Sequence, residues 1–164
     1  MQRPIGLFTD FGSSGIYLGQ VRSVLVGAAP QCPVVDLMSD APAWNPRAAA
    51  YLLAALAPYW PADMVVMAVV DPGVGSKRLP LLAEIDGRWF VGPDNGLFAI
   101  LARRAATCRT WAITWQPRAL SASFHGRDLF APVAARLAVG EAPESIGAVP
   151  AEPQASTPWP DDLA

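Results

Sequence analysis

The 164-residue sequence has few charged side chains, no excess of positive charge and a single histidine. Charged residues make up 16% of the chain and hydrophobic residues 52%, which excludes intrinsic disorder, because disordered chains combine low hydrophobicity with high charge. Twelve lysines and arginines against fourteen acidic residues give a net charge of −2, so the chain lacks the basic surface that a phosphate backbone requires. We therefore expect no nucleic-acid partner.

Cysteines and long apolar runs are also scarce. Cys32 and Cys108 are the two cysteines, too few for a disulfide framework, and we expect both to be buried free thiols. The apolar run at residues 64–70 is far shorter than the roughly 20 residues that span a bilayer, and residues 1–10 lack a signal-peptide pattern. With one histidine and no paired cysteines, a zinc site is not expected. These absences predict a soluble, cytoplasmic protein without a membrane partner.

Proline, by contrast, is abundant, with 17 residues. After Gly140 the prolines are dense and the apolar periodicity is weak, which is typical of a linker. We therefore predict one compact α/β domain over residues 1–140, which is an ordinary domain size, followed by a proline-rich linker or tail over residues 141–164.

Strand-like and helix-like segments alternate within residues 1–140. Residues 64–70 are continuously apolar, as expected for a central strand buried on both faces. The pair Asp86 and Gly87 between two apolar runs predicts a β-hairpin. The alternation predicts an α/β fold with a mainly parallel sheet flanked by helices, a three-layer, Rossmann-like arrangement. The predicted strands are residues 5–9, 34–37, 64–70, 81–85, 88–91 and 110–114, and the predicted helices are residues 16–28, 46–57, 97–105 and 129–137.

Two carboxylates directly follow predicted strands. Asp10 follows the first strand and Asp71 follows the most hydrophobic one. Ligands of parallel sheets bind beyond the carboxyl ends of the strands, so two acidic residues at this edge favour a binding site. A single aspartate at such a position is also typical of a turn or a helix cap. The glycine-rich residues 73–75 lack the rest of a dinucleotide fingerprint or a P-loop, and we interpret them as a tight loop that lets a ligand approach bare backbone.

Two further motifs precede predicted helices. GPDNG at residues 92–96 is compatible both with a capped turn and with a site where backbone amides hold a polar ligand group. His125 lies in FHGRD at residues 124–128, beside a glycine and just before a helix. A lone histidine is more often structural than functional, whereas this setting favours a functional role. We interpret Arg127 and Asp128 as an ion pair at the start of the helix.

Four motifs, in this order, resemble those of the SAM hydroxide adenosyltransferases, the adenosine-forming S-adenosyl-L-methionine hydrolases related to fluorinase and chlorinase enzymes. They are TDFG at residues 9–12, DPGVG at 71–75, GPDNG at 92–96 and FHGRD at 124–128. The resemblance covers residues 4–140. It implies hydrolysis of S-adenosyl-L-methionine to adenosine and L-methionine by attack of water or hydroxide on the ribose 5′ carbon, with no cofactor and no metal.

The resemblance also implies which residues form the site. Asp71, Arg78 and His125 match the catalytic triad of the family, and the polar character of this triad favours hydrolysis over halogenation. Gly15 stands where many members carry an acidic residue that binds the ribose hydroxyls. Trp44 is about one residue out of register with an aromatic of the family, and we interpret it as a packing residue. The substrate-binding residues implied by the resemblance are Asp10, Phe11, Pro72, Gly73, Val74, Asp94, Asn95 and Gly126.

The resemblance further implies a β-rich C-terminal domain, which we expect this chain to lack, and homotrimers whose active sites lie between subunits. We therefore expect an N-terminal catalytic domain that is poorly active by itself, because an open site forfeits substrate positioning. Two alternatives stay open, a non-catalytic nucleoside-binding module and a metal-dependent phosphoesterase that uses Asp10, Asp71 and His125. Binding of adenosine without turnover favours the first alternative, and a requirement for added divalent metal favours the second.

Overall fold

The computed structural model describes residues 2–154 of the chain. The strands are β1 (Ile5–Thr9), β2 (Val34–Met38), β3 (Val65–Val69), β4 (Pro80–Ile85), β5 (Arg88–Pro93), β6 (Cys108–Ile113) and β7 (Ala148–Pro150). The α-helices are α1 (Ile16–Ala28), α2 (Pro46–Leu56), α3 (Ala99–Arg104), α4 (Ala131–Ala138) and α5 (Pro143–Ile146). A 3-10 turn, Ala57–Tyr59, follows α2, and a π-helical turn, Gly126–Phe130, leads into α4. Every strand and helix predicted within residues 1–140 is present, with ends that agree within about two residues.

All these strands form one sheet, in the order β2-β1-β3-β5-β4-β6-β7. β1 pairs in parallel with β2 and β3, and β3 pairs in parallel with β5. β4 is antiparallel to both of its neighbours, β5 and β6, and β7 is antiparallel to β6. The centre of the sheet is therefore parallel, as predicted, and the carboxyl ends of β1, β3 and β5 lie at the same edge.

Helices cover both faces of the sheet, which confirms the predicted three-layer arrangement. All residues of β1 and β3 are buried, which explains why β3 is continuously apolar and β1 is apolar up to Thr9. On one face, a buried cluster joins Leu7 of β1 to Leu25 of α1 and Leu137 of α4. Phe8, the next residue along β1, points to the opposite face and belongs to a second cluster with Leu53 of α2.

The turn between β4 and β5 has the backbone that its sequence predicts. Asp86 and Gly87 both have positive φ angles, 48° and 80°, and Ile85 pairs with Arg88 across the turn. Two positive φ angles in a two-residue loop match the twist of an antiparallel hairpin, and glycine adopts such an angle without strain. The predicted hairpin is confirmed.

The sheet extends beyond the boundary that the proline content indicated. Residues 141–150, which we assigned to the linker or tail, contain α5 and β7. Pro143 fits the first turn of α5, where its missing N–H needs no partner, and Gly147 ends that helix with a φ of 86°. Pro150 ends an edge strand, where proline removes no ladder hydrogen bond from the interior of a sheet. Residues 155–164 of the predicted tail lie outside the described residues.

The two cysteines differ in their surroundings. Both are free thiols, and Cys32 is buried as predicted. Cys108 is exposed, contrary to the prediction, because it begins β6 at the end of the sheet, where the first two residues of the strand face solvent. In the part of the chain that the structure describes, no helix has the length and apolar character needed to cross a membrane.

Candidate active site

A cleft of about 320 Å³ lies at the carboxyl ends of β1 and β3. Asp10 directly follows β1 and Asp71 comes two residues after β3, and both carboxylates line the cleft. The placement agrees with the general position of ligands at the carboxyl edge of parallel sheets. The aromatic residues of the cleft wall are Phe11, Tyr17, Trp44 and Phe124.

Asp71, Arg78 and His125 are in direct contact. Nε of Arg78 lies 3.1 and 3.0 Å from the two carboxylate oxygens of Asp71, and Nη2 also donates to Oδ2. The same Nη2 lies 3.0 Å from Nδ1 of His125. Because arginine carries donors only, Nδ1 of His125 accepts this hydrogen bond, and the neutral ring holds its proton on Nε2. The structure thus brings together the three residues that the resemblance marks as catalytic.

The ion pair between Arg78 and Asp71 is almost completely removed from solvent. The two side chains are only 9% and 5% exposed. Burial of two charges is costly unless the geometry is good, and here the guanidinium fork faces both carboxylate oxygens. The guanidinium carbon also lies 5.3 Å from the centre of the Phe130 ring. Contacts with Asp71 on one side and with the Phe130 ring on the other therefore fix the position of the Arg78 guanidinium.

His125 is held in its neutral form. Burial lowers the pKa of His125 below its usual value, and the positive charge of Arg78 lowers it further. Asp71 and Asp128 act in the opposite direction without reversing the shift. A neutral ring at pH 7 agrees with the acceptor role of Nδ1.

A short loop brings Arg78 back to Asp71. Inside it, Oγ of Ser76 accepts the backbone N–H of Arg78 at 3.3 Å. Gly75 has a φ of 77°, and a Cβ there would lie 2.6 Å from the carbonyl oxygen of Ala122. Only glycine permits this approach, which packs the loop against the segment that leads to His125.

The predicted ion pair at the start of the last helix is present. Nε of Arg127 lies 2.6 Å from Oδ1 of Asp128, and this partner lowers the pKa of the Asp128 carboxyl. Oδ2 of Asp128 also accepts the backbone N–H of Ser121 at 3.1 Å. The bond closes the loop that contains His125 and fixes its two ends together.

Asp10 and Phe11 line the cleft, together with Val74 and Gly126. Oδ2 of Asp10 accepts the backbone N–H of Trp44 at 3.0 Å. Trp44 has a φ of 58°, which is uncommon for a residue other than glycine. Trp44 is 71% exposed and lines the cleft, so it packs at the surface of the site and not in the core.

Four residues that the resemblance marks as substrate-binding do not line the cleft. They are Pro72, Gly73, Asp94 and Asn95. The first two form the turn after Asp71. Nδ2 of Asn95 donates to the carbonyl of Val70 at 2.8 Å and so ties the end of β5 to the end of β3. Asp94 lines a separate cavity beside α3, where its Oδ2 accepts the backbone N–H of Gln154 at 2.6 Å.

Besides Trp44, four residues of the cleft wall were not predicted as site residues, and they are Tyr17, Val69, Ser123 and Phe124. Phe124 is the first residue of the FHGRD motif and Ser123 directly precedes it, so the motif was the signal that could have indicated both. Tyr17 lies in the first turn of α1, where an aromatic residue is equally typical of core packing, and no local pattern distinguishes the two roles.

The side chains that the structure describes offer no set of metal ligands. Among residues 2–154, no three histidine, cysteine, aspartate or glutamate side chains come close enough to hold a metal ion. The carboxylate of Asp71 faces Arg78 through both oxygens, and Asp10 accepts a backbone N–H. The metal-dependent phosphoesterase alternative, which needs Asp10, Asp71 and His125 as a group, is therefore not favoured.

Three sequence relatives bear the same name, (R)-S-adenosyl-L-methionine hydrolase. The protein from Thermus thermophilus is 42% identical over an alignment of 170 positions, which covers 95% of this chain and 65% of that protein. The protein from Salinispora arenicola is 39% identical over 97% of this chain and 62% of its own length. The protein from Methanocaldococcus jannaschii is 34% identical over 82% of this chain and 53% of its own length. The chain thus spans less than two thirds of these relatives.

Two solved structures have the same fold. A crystal structure of a conserved protein from Thermotoga maritima aligns with a TM-score of 0.85 at 30% identity, over 93% of this chain and 61% of that one. A crystal structure of a conserved protein from Thermus thermophilus aligns with a TM-score of 0.76 at 41% identity, over 90% of this chain and 59% of that one. The sequence profile of the SAM hydroxide adenosyltransferase N-terminal domain matches residues 5–147. With the fold and motifs described above, this match shows that the chain belongs to the SAM hydroxide adenosyltransferase N-terminal domain family.

Proposed function

We propose that the protein hydrolyses S-adenosyl-L-methionine to adenosine and L-methionine, with Asp71, Arg78 and His125 as the catalytic residues. One observation carries the proposal: Arg78 donates hydrogen bonds to both Asp71 and His125 beside an aromatic cleft. The names of the relatives from Thermus thermophilus and Salinispora arenicola support the choice of substrate.

The proposed reaction places its chemical demand on the nucleophile. The oxygen of a water molecule attacks the 5′ carbon of the ribose on the side opposite the sulfur. The C5′–O bond forms while the C5′–S bond breaks, and the electron pair of the broken bond goes to sulfur. Methionine leaves as a neutral thioether, so the leaving group needs no proton. The protein has to orient the water in line and accept one proton from it.

We assign the proton transfer to Asp71. It is the triad member that lines the cleft, and its carboxylate can accept a hydrogen bond from water. Nδ1 of His125 is occupied by Arg78, so the neutral imidazole offers Nε2–H as a donor to the water oxygen. The positive charge of Arg78 stabilises the negative charge that develops on the attacking oxygen. The proton on Asp71 then passes to solvent.

We assign substrate contacts to Asp10, Phe11, Val74 and Gly126. S-adenosyl-L-methionine carries a planar purine and a positive sulfonium. Aromatic faces pack against a purine and attract a cation, and the carboxylates of the cleft complement the same positive charge. Gly126 lines the cleft with its backbone, since it has no side chain.

Oxygen labelling tests the reaction directly. The protein is incubated with S-adenosyl-L-methionine in ¹⁸O-enriched water, and the products are separated and weighed by mass spectrometry. We expect equal amounts of adenosine and methionine, with the label in adenosine and no loss of rate with chelator. Asp71→Asn should abolish turnover, whereas Asp63→Asn, at an exposed position before β3, should not. Adenosine binding without turnover would support the nucleoside-binding alternative, and chelator-sensitive activity the phosphoesterase.

We also propose that the protein acts in the cytoplasm as a homotrimer in which the first 150 residues form one catalytic domain. The family resemblance supports the assembly. Light scattering after size-exclusion chromatography measures the mass. We expect three copies of the protein, and the mass of one or two copies would contradict the proposal.

A further inference from the structure

The turn that follows His125 is held by one face of α1. The hydroxyl of Tyr17 accepts the backbone N–H of Arg127 at 3.0 Å. Gln20, three residues further along α1, accepts a hydrogen bond from Nη1 of Arg127 at 2.8 Å. Because residues three apart lie on the same face of a helix, α1 holds the turn at two neighbouring points. The backbone position of His125 depends on both.

The contact at Gly126 leaves no space for a side chain. A Cβ on Gly126 would lie 2.7 Å from the Tyr17 hydroxyl and 2.9 Å from Cζ of Phe11. The ring of Tyr17 is packed between Phe11 and Phe124, with centroid distances of 4.6 and 5.3 Å. This packing confines the hydroxyl to one position against the residue that follows His125.

The turn itself is of an uncommon kind. Over Gly126–Phe130 the backbone is π-helical, and the N–H of Ala131 donates to the carbonyl of Gly126. A π turn is rare compared with an α-helix and frequently occurs at functional sites. The N–H groups of its first residues have no partner within the helix. Tyr17 supplies the acceptor that the N–H of Arg127 needs.

We propose that Tyr17 is a positioning residue for His125, its hydroxyl holding the π turn so that Nδ1 of His125 stays within hydrogen-bond distance of Arg78. The expected effect of Tyr17 on turnover rests on the proposed function, whereas its expected effect on the position and titration of His125 does not. Burial raises the pKa of Tyr17, so the phenol keeps its proton over the working pH range and the contact is constant.

Tyr17→Phe removes the hydroxyl and keeps the ring that packs against Phe11 and Phe124. The matched control is Tyr59→Phe, which removes the same group from a tyrosine that is 85% exposed. His125 is the single histidine of the sequence, so its imidazole resonances are assigned without ambiguity and its titration is followed by NMR in the absence of substrate. We expect the titration midpoint to rise in Tyr17→Phe, because His125 moves away from the charge of Arg78, and to stay unchanged in Tyr59→Phe.

Gly126→Ala tests the contact between Gly126 and Tyr17 from the side of the turn, again through the titration midpoint of His125. The added methyl group pushes the turn away from Tyr17, so we expect the titration midpoint of His125 to rise. In the Tyr17→Phe background the hydroxyl no longer obstructs the methyl group. Adding Gly126→Ala to that background should therefore raise the midpoint by less than it does in the unchanged protein. Gly126→Ala by itself keeps the test decisive if Tyr17→Phe fails to fold. An unchanged midpoint in the folded variants overturns the proposal.

Steady-state kinetics provide a second test of the role proposed for Tyr17. With S-adenosyl-L-methionine we expect Tyr17→Phe to lower kcat roughly tenfold with KM within about twofold, because the triad is misplaced and the cleft wall is kept. A fall in kcat with an unchanged His125 midpoint overturns the proposal, since Tyr17 would then act on the substrate directly. A raised midpoint in a protein that does not turn over the substrate supports the positioning role and contradicts the proposed function.

Discussion

Arg78 and His125 are joined by a hydrogen bond of 3.0 Å between Nη2 and Nδ1, although 47 residues separate them in the chain. The bond fixes the imidazole tautomer, and the Asp71 carboxylate on the other side fixes the guanidinium. A cation held in this way can stabilise developing negative charge without reorganisation during the reaction. The relationship makes Arg78 the residue whose loss is most informative.

Arg78→Ala should lower kcat by roughly 10²- to 10³-fold, the loss typical of removing one preorganised group that stabilises the transition state. KM should change little, because the charge is needed as the nucleophile attacks and not when the substrate binds. Steady-state adenosine release at several substrate concentrations measures both constants. Arg78→Lys is the matched variant, and we expect it to recover little, because an ammonium cannot bind the Asp71 carboxylate with a planar fork. A rise in KM with unchanged kcat would make Arg78 a substrate clamp.

The lowered pKa of His125 makes stability depend on pH with a definite sign. Above the usual histidine pKa, the ring is neutral in the folded and unfolded states. As the pH falls through that value, the unfolded state takes up the proton first, so the free energy of unfolding decreases until the pH has passed the lower pKa of the folded state. Urea unfolding across this range should give a smaller decrease for His125→Gln. Equal decreases in both proteins would contradict the pKa shift.

Gly92→Ala should destabilise the fold by about 3 kcal/mol, at the upper end of the cost of overpacking a core. A methyl group there would press on the backbone carbonyl of Ala68 in the neighbouring β3 and on the ring of Phe98, so a main chain would have to move. Gly19→Ala is the control, because a Cβ at this exposed α1 position meets nothing within 4 Å. We expect Gly19→Ala to raise the free energy of unfolding by roughly 0.5–1 kcal/mol, since alanine loses less backbone entropy. Chemical denaturation measures both changes, and similar values would contradict the packing described.

Arg88 satisfies the carbonyls that end α2 and the turn after it. Its guanidinium nitrogens lie 2.8 Å from the oxygen of Ala57, 3.0 Å from that of Trp60 and 3.2 Å from that of Pro61. Arg88→Ala should cost roughly 2–4 kcal/mol of stability, because carbonyls are left without a charged donor. Arg118→Ala, at an exposed position, should change stability by less than about 0.5 kcal/mol. Thermal and urea unfolding distinguish these outcomes, and equal losses would show that the three carbonyls find other partners.

The sequence predicted those parts of the fold that local patterns determine. The buried run of β3 and the positive-φ pair Asp86 and Gly87 are visible within ten residues, and both predictions are confirmed. The motif around Asp71 also led to the correct edge of the sheet. Strand β7 was missed because its pairing with β6 depends on residues about forty positions apart, and its proline is tolerated only at an edge.

The sequence predicted which three polar residues lie together, but it did not predict the full outline of the cleft. The resemblance identified Asp71, Arg78 and His125, and the structure brings them into contact. It could not distinguish Asp94, which follows a sheet strand and lines another cavity, from residues of the cleft wall. Nor could it identify Tyr17, because the contact between its hydroxyl and Arg127 exists only when α1 packs against the π turn. A local sequence motif shows which residue types are present, whereas contacts between distant residues depend on tertiary packing.

The two outer strands of the sheet protect it from unwanted association. At one edge, β7 is only three residues long and ends in Pro150, which has no N–H to offer to an added strand. At the other edge, Asp36 of β2 is paired with Arg22 of α1, so the edge strand carries a charged side chain. Two molecules that meet at their sheet edges can therefore form few backbone hydrogen bonds between their edge strands. We expect the folded domain to stay dispersed at high concentration and not to form extended β-aggregates.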